Sequence, residues 1–151
     1  MQYGIPNRKK VIIKNRFVNY GYSKEEFLSN YGFENEEAFI DLGDIYMATD
    51  DTDSAIKSYC SAITINPKKV QAYNKCAMAL WQKDYIEEAI IAYHKALGID
   101  PTYAAAYNNL GVIYLDDLGR VKQAIELFKK AVETNPNYAL AHFNLARAVS
   151  N

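Results

Sequence analysis

Proline closes the same short phrase three times, at Asn66-Pro67, Asp100-Pro101 and Asn135-Pro136. The intervals are 34 (101 − 67) and 35 (136 − 101), and other residues keep the same beat. Alanine recurs at 55, 89 and 124, and again at 62, 96 and 131, with an aromatic ring at Tyr59, Tyr93 and Phe128. Upstream, Phe39, Tyr73 and Tyr107 are evenly spaced, as are Leu42, Cys76 and Leu110, and Tyr46, Leu80 and Tyr114. A fixed period of this length means one supersecondary unit repeated, each copy burying its apolar face against its neighbours. The single extra residue falls between 114 and 124, in DDLGRVKQ. That stretch reads as a loop, where insertions are tolerated.

Each unit contains two stretches of helical period joined by a polar turn. In the second unit these are 70–83 (VQAYNKCAMALWQK) and 86–99 (IEEAIIAYHKALGI). Proline ends each second helix, because the residue before it is pushed out of the α region. Gly43, Ala77 and Gly111 occupy one equivalent position in the first helices. Glycine costs roughly 1 kcal/mol against alanine inside a helix, so its repeated use there predicts a close contact that excludes a side chain.

The chain has 151 residues, half of them hydrophobic, which is enough to bury a core. No run of about 18 apolar residues is present, so no membrane-spanning helix is expected. The N-terminus has no apolar stretch and cleavage site of the secretory kind. Cys60 and Cys76 make neither a disulfide framework nor a metal-ligand spacing, and a reducing, cytoplasmic setting is the default expectation. Residues 1–24 hold six bases and no acid; the remainder holds 11 bases (17 − 6) against 18 acids. A basic leader thus precedes an acidic body.

The first 33 residues stand outside the repeat. GYSKEEFLSNYGF has a capping box, Ser23 to Glu26, predicting a short helix over about 24–31 that Gly32 ends. KKVIIKNRFVNY fits strand or helix; Ile13, Phe17 and Tyr20 share a helical face, which favours helix. These apolar residues are expected to cover the end of the first repeat, with residues 1 to about 10 as a tail.

The units EEAFIDLGDIY…AIKSYCSAITINP, VQAYNKCAMAL…AIIAYHKALGIDP and AAAYNNLGVIY…AIELFKKAVETNP resemble tetratricopeptide repeats over residues 36–137. The family's pattern is an aromatic, Leu-Gly, Tyr, then Ala, an aromatic, Ala and Pro. The resemblance implies an all-α, right-handed superhelical solenoid of helix-turn-helix repeats. Its organisation would be a leader or cap at 1–33 and a repeat domain at 34–151. That domain divides into repeats at 36–69, 70–103 and 104–138, with the first helix of a fourth unit, or a cap, at 139–151. His142 there replaces the usual aromatic and takes its buried place.

The resemblance further implies a concave groove lined by the first helix of each pair. Its expected residues include Asp41 and Asp44, then Asn74, Lys75, Met78 and Trp81, then Asn108, Asn109 and Val112, then Phe143, Asn144 and Arg147. An asparagine offers both a donor and an acceptor, matching the unpaired groups of an extended peptide backbone. The function so implied is a scaffold or adaptor holding a partner's extended segment or helix. The alternative is a scaffold in which the leader or terminal helix docks onto another copy, making a homo-oligomer. Residues 8–16 could lie across the acidic first unit, Glu37, Asp41 and Asp44. No nucleic acid is expected as a partner; nucleic-acid or anionic-membrane binding is a weak third option, since the bases lie in a leader and not on a folded basic surface.

Some members of the family hold a chaperone tail's terminal carboxylate with Lys, Asn, Asn, Lys and Arg. Here those places carry Ile40, Asp44, Lys75, Ala105 and Asn109, or, one unit later, Asn74, Met78, Asn109, Leu140 and Asn144. Asn109 alone matches, so no such clamp is expected. Asn-Asn-Leu-Gly also resembles the repeats attached to a sugar transferase that modifies proteins, a likeness that many repeat proteins share. No catalytic constellation, glycine-rich phosphate loop or metal spacing appears, and no enzyme, cofactor or metal is expected.

Overall fold

In a computed structural model, residues 35–151 are described; the expected leader helices fall outside them. Among the described residues there are seven α-helices and no strand. They are α1 (Glu36–Ala48), α2 (Thr52–Ile65), α3 (Val70–Gln82), α4 (Ile86–Ile99), α5 (Ala104–Val112), α6 (Val121–Thr134) and α7 (Ala139–Val149). A π-helical turn, Ile113–Asp117, extends α5. The all-α repeat class read from the period is therefore the observed one. The described residues divide into two compact units, 35–72 and 73–151.

The turns explain the recurring sequence signals. Before each proline the backbone is extended, with φ of −132° at Asn66, −130° at Asp100 and −138° at Asn135. Each of these side chains accepts a hydrogen bond from the amide two residues on, at 3.1 Å from Lys68, 2.9 Å from Thr102 and 3.2 Å from Asn137. Asn and Asp can replace a backbone turn in this way, and proline stops the helix from running on. The turn inside each pair is equally regular. The Tyr46 carbonyl accepts from the Asp51 amide, and the Leu80 carbonyl from the Tyr85 amide, both at 2.9 Å. Asp50 and Asp84 take the left-handed conformation these turns need, at φ 60° and 64°. Aspartate tolerates that region better than most residues.

The third turn corrects one expectation. Its extra residue is not held in a loop but is taken up at the end of α5. There the Leu118 amide donates to the Ile113 carbonyl, five residues back, and the Arg120 amide to that of Tyr114. Gly119, at φ 63°, then supplies the left-handed residue as Asp50 and Asp84 do. One added residue in a helix produces a π turn when the flanking register must be kept.

Within each pair the core is a ring set between alanines. Tyr59, Tyr93 and Phe128 are all but fully buried, and Ala55, Ala62, Ala89, Ala96, Ala124 and Ala131 are wholly so. In the first unit, a methyl at Gly43 would lie 2.4 Å from the Tyr59 ring. In the second, a methyl at Gly111 would lie 2.5 Å from the Phe128 ring. The glycines are therefore seats for rings, which is why helix interiors carry them. Gly111→Ala is expected to lower unfolding stability by about 1–2 kcal/mol, overpacking outweighing the gain in helix propensity. Urea denaturation followed by circular dichroism checks this.

Candidate functional site

The first helices carry the residues predicted to meet a partner. In the first unit, α1 begins at Asn35, whose side chain accepts from the Glu37 amide at 3.0 Å and caps the helix. Asp41 is half-buried, and the Asp44 carboxylate accepts a hydrogen bond from the Tyr59 hydroxyl at 2.7 Å. Asp44 is thus tied into the core of its own pair. At the close of this unit Lys69 pairs with Glu37.

In the second unit, α5 stands between α3 and α7 and is joined to each by polar contacts. Trp81 of α3 donates its indole N–H to Asp117 at 2.9 Å. Arg147 of α7 forks onto Asp116, at 2.9 Å and 3.0 Å to its two carboxylate oxygens. Both acids belong to the π turn, so the added residue of this repeat presents two carboxylates to the two helices beside it. A planar guanidinium facing a carboxylate in this way is the strongest geometry available to such a pair. Deeper in the unit, Asn144 of α7 donates to the Asn108 carboxamide oxygen at 2.9 Å.

The asparagine pair of α5 is divided between two environments. Asn108 is wholly buried and bonded to Asn144, which is itself buried, whereas Asn109 is half-buried. Asn74 is buried too, with its amide 3.7 Å from the Met78 sulfur. The side chains that face solvent are apolar: Met78 is 47% exposed, Leu140 51% and Phe143 63%. Lys75, Trp81, Val112 and Arg147 are half-buried around them. Asp116 and Asp117 were not among the expected site residues. The signal for them was the extra residue itself, which marks where this repeat departs from the others.

One position varies informatively along the array. Asp44 meets the Tyr59 hydroxyl, but its equivalents are Met78 beside Tyr93's helix and Val112 beside that of Phe128. Phe128 has no hydroxyl to satisfy. Tyr93 does, and its buried hydroxyl makes no hydrogen bond of good geometry, the Asn109 side chain being its nearest polar neighbour. Burial pushes that phenol well above tyrosine's ordinary range, the nearby Asn109 side chain pulling the other way. His142, expected in a buried aromatic place, is instead exposed and donates Nε2–H to the Pro136 carbonyl at 2.8 Å. His94 is also exposed. Among the described residues, no cluster of three or more His, Cys, Asp or Glu could hold a metal ion, and no helix is long and apolar enough to cross a membrane.

Two predictions follow from the hydrogen bonds. Tyr59→Phe should cost about 1 kcal/mol of stability, while Tyr93→Phe should be neutral or stabilising, because its hydroxyl contributes no bond. Asn108→Ala should cost about 1–3 kcal/mol by orphaning the Asn144 amide, whereas Asn109→Ala should stay within about 0.5 kcal/mol. Thermal and urea melts of the four variants check both.

Known proteins are similar to this chain in sequence or in fold. A peroxisomal targeting signal receptor of Saccharomyces cerevisiae is 32% identical over 58% of this chain, which spans 14% of the receptor's length. The crystal structure of MamA superposes with a TM-score of 0.77 at 26% identity, covering 99% of this chain and 84% of that one. The first TPR of Spaghetti (RPAP3), solved with the HSP90 peptide SRMEEVD, superposes with a TM-score of 0.72 at 19% identity, over 78% and 93% of the two chains. The TPR repeat model matches residues 43–84, 85–117 and 117–150, most of the sequence. The chain belongs to the tetratricopeptide repeat family.

Proposed function

We propose that the chain is a protein-docking module whose first-helix groove holds an extended segment or a helix of a partner protein. Membership of the family supports an interaction scaffold in general. The observation that favours the groove is the exposure of Met78, Leu140 and Phe143 on first helices of the second unit. Large apolar side chains left in water on one face mark a contact surface, and methionine and aromatic side chains anchor partners well.

The charges argue for the partner's chemistry. Arg147 is held by Asp116, and Asp117 by Trp81. Lys75 also has a partner. A ligand that depends on a terminal carboxylate would have to compete for these cations, which favours apolar contacts over a chaperone-tail clamp. The receptor among the relatives recognises a targeting signal by its name, and RPAP3 is solved with a peptide; short segments of other proteins are the class proposed for this chain.

Trp81 is the one tryptophan of the sequence, so its fluorescence reports on this face. The test is capture from source lysate with the intact chain beside a Met78→Ser, Phe143→Ser variant of equal helicity. A partner lost with the variant, one of whose segments shifts Trp81 emission, supports the reading. Partners captured equally by both chains contradict it. The buried asparagines are poor probes for this purpose, since their loss weakens the fold.

A further inference from the structure

Two tyrosines stand at one recurring position of the turns between repeats, Tyr103 before α5 and Tyr138 before α7. The same place in the first turn holds Lys69, which pairs with Glu37. The repeat itself therefore does not require a ring there. In the second unit the two tyrosines line a cavity of about 420 Å³, the size of a small-ligand pocket. Ala104 and Ala105 at the start of α5, and Thr134 and Asn135 at the end of α6, line it with them. Every wall lies between residues 102 and 138, inside the array.

The hydrogen-bonding groups around this cavity divide into used and unused. The Thr134 hydroxyl donates to the Lys130 and Ala131 carbonyls, both at 3.0 Å. The Asn135 oxygen accepts from the Asn137 amide, and the Thr102 hydroxyl donates to Asp100 at 2.6 Å. The Tyr103 and Tyr138 hydroxyls, by contrast, make no hydrogen bond among the described residues. Burial pushes both phenols above tyrosine's ordinary range, with Tyr138 and Asp100 adding to the effect at Tyr103, so both remain neutral donors. No side chain caps α5, which leaves its first amides as open donors. The Thr134 carbonyl, at the other helix end, has no intrahelical partner. Donors and an acceptor thus face one space with no charged side chain on its walls. An anion would meet no cation there and would lie near the Asp100 carboxylate.

We propose that this cavity binds a proline-containing extended segment of a partner protein, a proline ring stacking on Tyr103 and Tyr138 and the adjoining carbonyls accepting from their hydroxyls. A polyproline-type chain is uncharged, already extended and free of internal hydrogen bonds, so its carbonyls need donors. Tyrosine supplies both a flat apolar face and a hydroxyl, the pairing by which aromatic-lined surfaces take such segments. An amide N–H beside the proline meets the Thr134 carbonyl. The site uses none of Met78, Leu140 and Phe143, so it stands or falls apart from the groove reading.

The probe is a fluorescein-labelled hexaproline amide, titrated with the full chain and followed by anisotropy. A peptide of equal length alternating glycine and serine is the control. The expected result is saturable binding of hexaproline alone, weakened about tenfold or more by Tyr103→Ala and by Tyr138→Ala, as for the loss of an anchoring ring. Tyr103→Phe and Tyr138→Phe keep the rings and should each weaken binding about fivefold, the effect of one lost hydrogen bond. Circular dichroism checks that every variant folds. A second measurement needs no variant: the amide resonances of Ala104, Ala105 and Asn135 should shift as hexaproline is added to the unaltered chain. No saturable binding, equal binding of the control peptide, or binding indifferent to both tyrosines overturns the proposal. So do shifts confined to other residues. Inorganic phosphate that moves the same amides and displaces hexaproline also overturns it, for then the cavity is an anion site.

Discussion

The close approach of two helices across a residue with little or no side chain is the constraint on which the remainder of this structure depends. Gly43 and Gly111 leave no room for a methyl beneath Tyr59 and Phe128, so the rings lie against helix backbone. A glycine in each of those first helices costs helix propensity. The buried ring, flanked by fully buried alanines, offsets that cost by removing a large apolar surface from water. Because the same arrangement recurs, each first helix that has a second helix beside it, α1, α3 and α5, has one face committed to that partner and another left over. That remaining face is the proposed site of function.

Much of this was legible because it repeats. The period gave the pairs, the Asn-Pro and Asp-Pro phrases gave the turns between them, and the glycines gave the contact. Each signal survives averaging over three copies. What a single copy does differently was harder to read. The extra residue was visible near 114–124, but whether it would enlarge the loop or the helix depended on keeping Gly119 in the place of Asp50 and Asp84. The outcome, a π turn, put Asp116 and Asp117 against Arg147 and Trp81, which no periodic argument contains.

The asparagines show why the site was less legible than the fold. Asn108 and Asn109 are adjacent in sequence, yet a helix turns about 100° between them, enough to separate a buried bond from a half-exposed side chain. Asn144 donates to the Asn108 carboxamide oxygen, while the buried Asn108 amide nitrogen is left without a partner. Residue type suggested peptide binding for all of them; burial assigns Asn108, Asn144 and Asn74 to the packed interior and leaves Met78, Leu140 and Phe143 at the surface. Polar contacts thus lie beneath these apolar side chains, with Arg147 paired to Asp116. His142 departs from its expected burial for a related reason: among the described residues no second helix covers α7, so the register that half-buries Tyr107 leaves His142 in water.

The most direct test of the ring seat is a double-mutant cycle between Gly111→Ala and Phe128→Leu, measured by urea denaturation. If the ring rests on the glycine, the added methyl should be harmful with phenylalanine and tolerated, even helpful, with the smaller leucine. The account predicts a coupling energy of about 1 kcal/mol or more, well beyond the error of additivity. Strict additivity of the two changes would mean that the methyl and the ring do not compete for one space, and the account of how these helices pair would be wrong.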